Sequence, residues 1–295
     1  MSMKHQSINY FSILFLMCRC GGLTSYFVQK KSSNHITFAT TKFSKFLNAT
    51  IIIISTVAYW TTTQQTSTQI GEIDEIESLS SEIAHCFYYI YFLASVCVLN
   101  LKQTHIMKTC HKIIFFQDLA AKISQTNIDV SKTLKYYAFA KYGAMPLIAF
   151  VYFWSMDTIS FSIIFLYFKF LFVSSVAISG ETLLHSYLLI ISKTLQQINN
   201  IKTHQVKSNN IKNILKVVID IKQDIQSFSQ IYIIFKLLFM VIEIPTTIYT
   251  LLVDENPYVN YSFVTRNTVW IGYLILECFL LLWPYVSFCQ NVNLV

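Results

Sequence analysis

Five ionisable side chains fall inside stretches that are otherwise apolar: Lys141, Lys169, Lys236, Glu243 and Glu277. A charge at the centre of an inserted helix costs about 2.5–3.5 kcal/mol, so each must reach water, find an opposite charge or serve a ligand or ion. Lys141 and Lys236 lie toward the expected cytoplasmic ends of their helices, where a long stem can snorkel. Lys169, Glu243 and Glu277 lie near mid-depth. A Lys169–Glu243 or Lys169–Glu277 pair would remove the penalty, either as a packing device or as part of a ligand or ion site.

Aromatic residues gather around the same depth. His85, Tyr88 and Tyr89, Tyr152 and Trp154, Phe161 and Phe165, Thr246, Thr247 and Tyr249, and Trp270 and Tyr273 all fall in one half of the expected bundle. Trp270, Tyr273 and Glu277 share a helical face at i, i+3 and i+7. Aromatic walls with a few convergent polar groups suit a small polar ligand such as a sugar. The other reading of each ring is a belt residue at the membrane interface. The candidate ligand-binding set is Tyr88, Trp154, Glu243, Thr247, Tyr249, Trp270, Tyr273 and Glu277.

No catalytic constellation accompanies them. H-E-x-x-H, a Walker-type glycine loop and G-x-S-x-G are absent, and the seven His are scattered. No enzyme activity, cofactor or metal is expected. Cys18 and Cys20 form C-x-C without further ligands nearby, and seven Cys, mostly in apolar stretches, do not make a disulfide framework. No cleavable leader is evident in the first residues.

Composition sets the class. The 295 residues are 54% hydrophobic and 13% charged, where a soluble chain carries about 25% charged residues. Mean hydropathy is +0.49. The expected fold is all-α, a polytopic membrane helix bundle forming one domain over 1–295. Six spans are expected at about 46–62, 83–101, 136–156, 159–178, 229–253 and 268–288. A segment at 8–28 is long enough to span but carries Arg19, Gly21 and Gly22 near its middle, so it reads as an interfacial or bundle-buried helix. The polar, acidic stretch 61–82 and the basic stretch 102–135 read as loops. Apolar periodicity continues past the fourth span to Ile198, giving a cytoplasmic stalk at about 182–228.

The second arm of that stalk carries a seam. Ile211, Ile214, Val218, Ile221, Ile225 and Phe228 recur at spacings of three and four, the pattern of a helix packing on another helix. The partner is either a second subunit or the fourth helix's own extension. The stalk then runs without a break into the fifth span.

Charge sets the orientation. Of the 22 Lys and Arg, all but Lys141, Lys169, Lys236 and Arg266 fall on one side if the N-terminus is cytoplasmic. Both ends are then inside, and the sequon at Asn260 lies outside; the one at Asn48 is inside a span. The net charge of +7 is explained by these short loops, so no nucleic-acid partner is expected.

The chain resembles the insect gustatory receptor family, which belongs with the odorant receptors to a seven-span, N-inside superfamily. The likeness rests on the Gly21–Gly22–Leu23 turn before the first span and on the Leu-rich fourth helix ending in Leu195–Gln196–Gln197–Ile198–Asn199. It rests also on Phe228–Ser229–Gln230–Ile231 leading toward Tyr249, and on a last helix opening at Trp270 and closing near Cys289. The family's seventh span, with a Thr-Tyr pair followed by Gln, has no counterpart here, so the resemblance implies a receptor truncated before that span. It further implies a ligand-gated cation channel subunit of the plasma membrane, opening outward to a small-molecule tastant, a sugar or a bitter compound. Membrane lipids and a homo- or hetero-tetramer of related receptors are the implied partners. A G-protein-coupled receptor would require 8–28 to span. Against it stand Arg19 with the two glycines, and the lack of Asp-Arg-Tyr and Asn-Pro-x-x-Tyr motifs. A transporter would show internal repeats, and none is found.

Overall fold

One helix is enclosed by the others. In the computed structural model, which describes residues 3–32, 35–69, 75–124, 130–154, 161–200, 208–253 and 261–292, α6 (Phe161–Asn199) carries the stretch Leu171–Asn199, within which an 18-residue apolar run is 94% buried. The corresponding 18-residue runs of α7 (Ser208–Val253) and α8 (Tyr261–Val292) are only 22% and 33% buried. A helix that is apolar all round must be sheathed, whereas one exposing apolar side chains needs lipid. Among the described residues these three stretches are long and apolar enough to cross a membrane; Cys86–Leu101 is shorter.

Around α6 stand α1 (Met3–Cys20), α2 (Lys42–Gln69), α3 (Glu75–Leu101), α4 (Gln103–Ser124) and α5 (Ser131–Trp154). Small residues let them approach closely: a Cβ on Gly180 of α6 would fall 2.3 Å from Leu99 Cδ1 of α3. Two buried hydroxyls on α6 are satisfied within the helix, Ser179 donating to the Ser175 carbonyl at 2.7 Å and Ser186 to the Thr182 carbonyl at 2.6 Å.

The N-terminal helix packs into the bundle through Leu14, Phe15 and Cys18 while Ile13 and Leu16 face outward. It ends in a Schellman turn. Leu23 N–H donates to the Cys18 carbonyl at 2.8 Å, Gly22 N–H to Arg19 at 3.1 Å, and Gly22 takes φ +71°. Asn100 of α3 clamps the turn, donating to the Gly22 carbonyl at 3.1 Å and accepting from Asn48 of α2. Asn48 is therefore buried in a helix rather than available to a glycosylating enzyme.

Four features depart from the sequence reading. The stretch 61–82 is not wholly a loop, since α2 continues to Gln69 and α3 begins at Glu75. The basic stretch 102–135 contains α4, whose Ile106, Cys110, Ile113, Phe116 and Ala120 are buried at helical spacing. An antiparallel hairpin of β1 (Phe27–Ser32) and β2 (His35–Ala39), with Val28 opposite Phe38, follows α1 where helix or loop was expected.

The fourth concerns the stalk. Ile214, Val218, Ile221, Ile225 and Phe228 are all buried within the chain, so this seam does not face a second subunit. It is covered by neighbouring helices, α4 among them: Lys112 reaches Asp224 at 2.6 Å, Thr109 donates to the same carboxylate at 3.2 Å, and Lys102, just ahead of α4, donates to the Ser227 carbonyl at 2.5 Å. The Ile211 side chain and the sequon at Asn260 lie outside the described residues. The helix α7 is continuous from the seam through Pro245 to Val253.

Two glycines test this architecture against each other. Gly22→Ala places a Cβ in a left-handed conformation and 2.7 Å from Ile51 Cγ2, where helix Gly272 meets nothing within 4 Å. We expect Gly22→Ala to cost at least about 1–2 kcal/mol, and Gly272→Ala to be neutral or to stabilise by up to about 1 kcal/mol. Thermal unfolding of the detergent-solubilised chain reads both. Equal midpoints for Gly22→Ala and the native chain would remove the turn.

Candidate functional site

Four helices each deliver one charge to the same point. Lys141 comes from α5, Glu181 from α6, Lys236 from α7 and Glu277 from α8, and none is more than 5% exposed. Lys141 Nζ lies 2.5 Å from Glu181 Oε1 and 2.8 Å from Glu277 Oε2. Lys236 Nζ lies 2.6 Å from Glu277 Oε2 and also binds Glu181 Oε2. Each ammonium thus bridges both carboxylates, and the formal charges sum to zero.

The cluster is finished by uncharged groups. Tyr91 of α3 donates its hydroxyl to Glu181 Oε2 at 3.1 Å, and its ring lies beneath Lys236 with Nζ 5.5 Å from the centroid. His185, one turn beyond Glu181, has Nδ1 3.6 Å from Glu181 Oε1 and 2.5 Å from the Tyr137 hydroxyl. Tyr137 in turn donates to the Leu280 carbonyl at 3.1 Å. Two polar atoms are left over: Glu277 Oε1 and His185 Nε2 are buried and have no hydrogen-bond partner.

Beside the cluster lies a cavity of about 20 Å³, room for one or two waters. Its walls include Tyr88, Phe239, Met240, Trp270 and Tyr273, and both Lys236 and Glu277 border it. The aromatic contacts are close, with Tyr88–Phe239 centroids 4.9 Å apart and Trp270–Tyr273 5.4 Å apart. Two of its polar tips are engaged: Tyr88 is 3.0 Å from Ser174 Oγ, and Trp270 Nε1 donates to Glu243 Oε1 at 3.0 Å.

The candidate residues therefore divide. Tyr88, Trp270, Tyr273 and Glu277 border one cavity, and Glu243 stands behind Trp270 as its acceptor. Thr247 is buried, but its hydroxyl donates back to the Glu243 carbonyl at 2.8 Å. Tyr249 is 39% exposed on the outside of α7 and is no part of the cavity. The Trp154 side chain lies outside the described residues.

The ion pairing also differs from expectation. The cations at Glu277 are Lys141 and Lys236 rather than Lys169, whose side chain lies outside the described residues. Neither Lys141 nor Lys236 snorkels. Each points inward because two carboxylates inside the bundle compensate it more fully than a partial reach to water would. Glu181, His185 and Tyr91 were missed, because ending the fourth span at 178 put Glu181 outside the bilayer. The available signal was a lone acid with a His four residues on, inside the 29-residue stretch Leu171–Asn199. Burial raises the Cys110 thiol of α4 to about 12, against an opposing hydrogen bond with Tyr187.

A bundle of long helices with apolar outer surfaces and a charge-neutral polar centre is a polytopic membrane protein. No protein-family model and no curated protein sequence matches the chain. Its structure is similar to that of the insect olfactory receptor OR5 from Machilis hrabei. The TM-score is 0.57 at 12% identity, over 97% of this chain and 81% of that one. The shared property is the fold.

Charge balance gives a direct test. Glu277→Gln leaves two buried lysines against one carboxylate and is expected to cost about 3–5 kcal/mol, whereas Lys141→Met/Glu277→Gln keeps one pair and recovers part of the loss. Thermal melts of the two purified proteins should rank the double variant above the single. The reverse order would mean the four charges do not act as one unit.

Proposed function

We propose that this chain is a gustatory chemoreceptor subunit, a ligand-gated cation channel of the plasma membrane with both termini cytoplasmic. A small tastant binds in the cavity lined by α3, α5, α6, α7 and α8. The observation that carries the reading is an aromatic cavity closing on a buried carboxylate, inside a fold shared with an insect olfactory receptor. The family resemblance adds the taste assignment and the assembly as a homo- or hetero-tetramer. Because the α7 seam is buried within the chain, other surfaces must join the subunits. A bitter, largely apolar compound suits these walls better than a sugar, since the cavity wall offers few polar groups.

Expression in oocytes, alone and with related receptors, tests the channel. A tastant panel should evoke cation current, and Tyr273→Ala should raise the half-maximal concentration at least tenfold while Tyr249→Ala leaves it unchanged. Silence to every compound in both settings would refute the reading. Orientation has its own readout: endoglycosidase should remove a glycan from the native chain and none from Asn260→Gln.

A further inference from the structure

We infer that Glu277 is the specificity-determining acceptor of the cavity, and that it selects a neutral ligand with an apolar body and one hydroxyl donor. The inference rests on the reading of this cavity as the binding site. Both oxygens of Glu181 are taken, Oε1 by Lys141 and Oε2 by Lys236 and Tyr91. Glu277 Oε2 receives both lysines, and Oε1 receives nothing. The square of charges is therefore electrically complete but has one open lone-pair site, on a residue that borders the cavity.

Three observations narrow the ligand. The four charges already cancel, so an ammonium or carboxylate ligand would bring an uncompensated charge into a buried site. The remaining wall is mostly apolar, with Met145, Ile178, Phe239, Met240 and Leu274, and the Tyr88, Tyr91 and Trp270 tips are already bonded. A polyol would bury several hydroxyls with only the open Glu277 oxygen and the Tyr273 hydroxyl to meet them, and each unpaired one is penalised. The existing 20 Å³ admits a hydroxyl-sized head group. The body of the ligand enters by displacing Met145 and Met240, the unbranched, adaptable side chains of the wall.

Equilibrium dialysis of radiolabelled benzyl alcohol against the full chain in lipid nanodiscs, with empty nanodiscs as the blank, tests this. Toluene, benzyl methyl ether and glucose serve as competitors. Benzyl alcohol should bind saturably and about ten- to a hundredfold more tightly than toluene or the ether, which cannot donate. That gap should close in Lys141→Met/Glu277→Leu, which removes the acceptor without leaving a net charge. If alcohol, ether and toluene compete within threefold of one another, or if glucose binds more tightly than the alcohol, the inference is overturned while the cavity remains a binding site. If none binds saturably, the cavity reading falls and takes the inference with it. The comparison among ligands needs only the native chain, so a poorly folded double variant does not blunt it.

Discussion

Four cancelling charges in the middle of an apolar bundle constrain where every neighbouring helix can sit. Lys141, Glu181, Lys236 and Glu277 come from four successive helices, and each touches two opposite charges. In a low-dielectric interior, moving one helix by a single turn, about 5.4 Å, would strand an ion. The register of α5, α7 and α8 against α6 is thereby fixed to a fraction of a turn. Apolar packing between lipid-embedded helices specifies register less sharply, because lipid tails are as apolar as the side chains they would replace.

The same arrangement explains why α6 is central. It supplies Glu181, the carboxylate that accepts from Lys141, Lys236 and Tyr91, and the His185 that leads on to Tyr137. A helix that must present acceptors to three sides cannot lie at the edge. Glu277, in contrast, stands where α8 borders the cavity, and it uses one oxygen for the cluster. One side chain therefore belongs both to the part of the bundle that fixes register and to the part that has room for a guest.

How much of this was legible in the sequence depended on whether a pattern was local. The continuity of α7 from seam to span, and of α6 beyond the expected span at 159–178, could be read because periodicity runs unbroken there. The helix α4 was obscured because six lysines over 102–135 suggested a loop, although Ile106, Cys110, Ile113 and Phe116 keep a three-to-four spacing beneath them. The hairpin is two short strands of mixed composition, with too few alternations to register. For the candidate site, Trp270, Tyr273 and Glu277 were grouped because one helix carries all three. Lys141, Lys236 and Glu181 were separated because their association is long-range and each alone has a cheaper local explanation. Sequence distance hid what charge balance would have required: two inward acids need two inward cations.

The bundle is also arranged inside out relative to a soluble protein, and this supports the membrane reading independently of hydropathy. Its most deeply buried residues include Lys141, Glu181, His185, Ser174 and Thr194, while Phe139, Phe150, Phe168, Val241 and Leu252 stand at least 60% exposed. On α7 the change is visible within one helix. Up to Phe228 the seam of Ile214, Val218, Ile221, Ile225 and Phe228 turns inward under cover of α4, with Lys212, Lys216 and Lys222 outside. From Ile231 onward the outward face is Ile231, Ile234, Leu238 and Val241, and the inward face holds Lys236. Water on that outer face would leave a contiguous greasy stripe beyond what soluble proteins tolerate. Hydrocarbon solvates the stripe and forbids a lone inward charge, which is why the polarity of α7 inverts where the ion cluster begins.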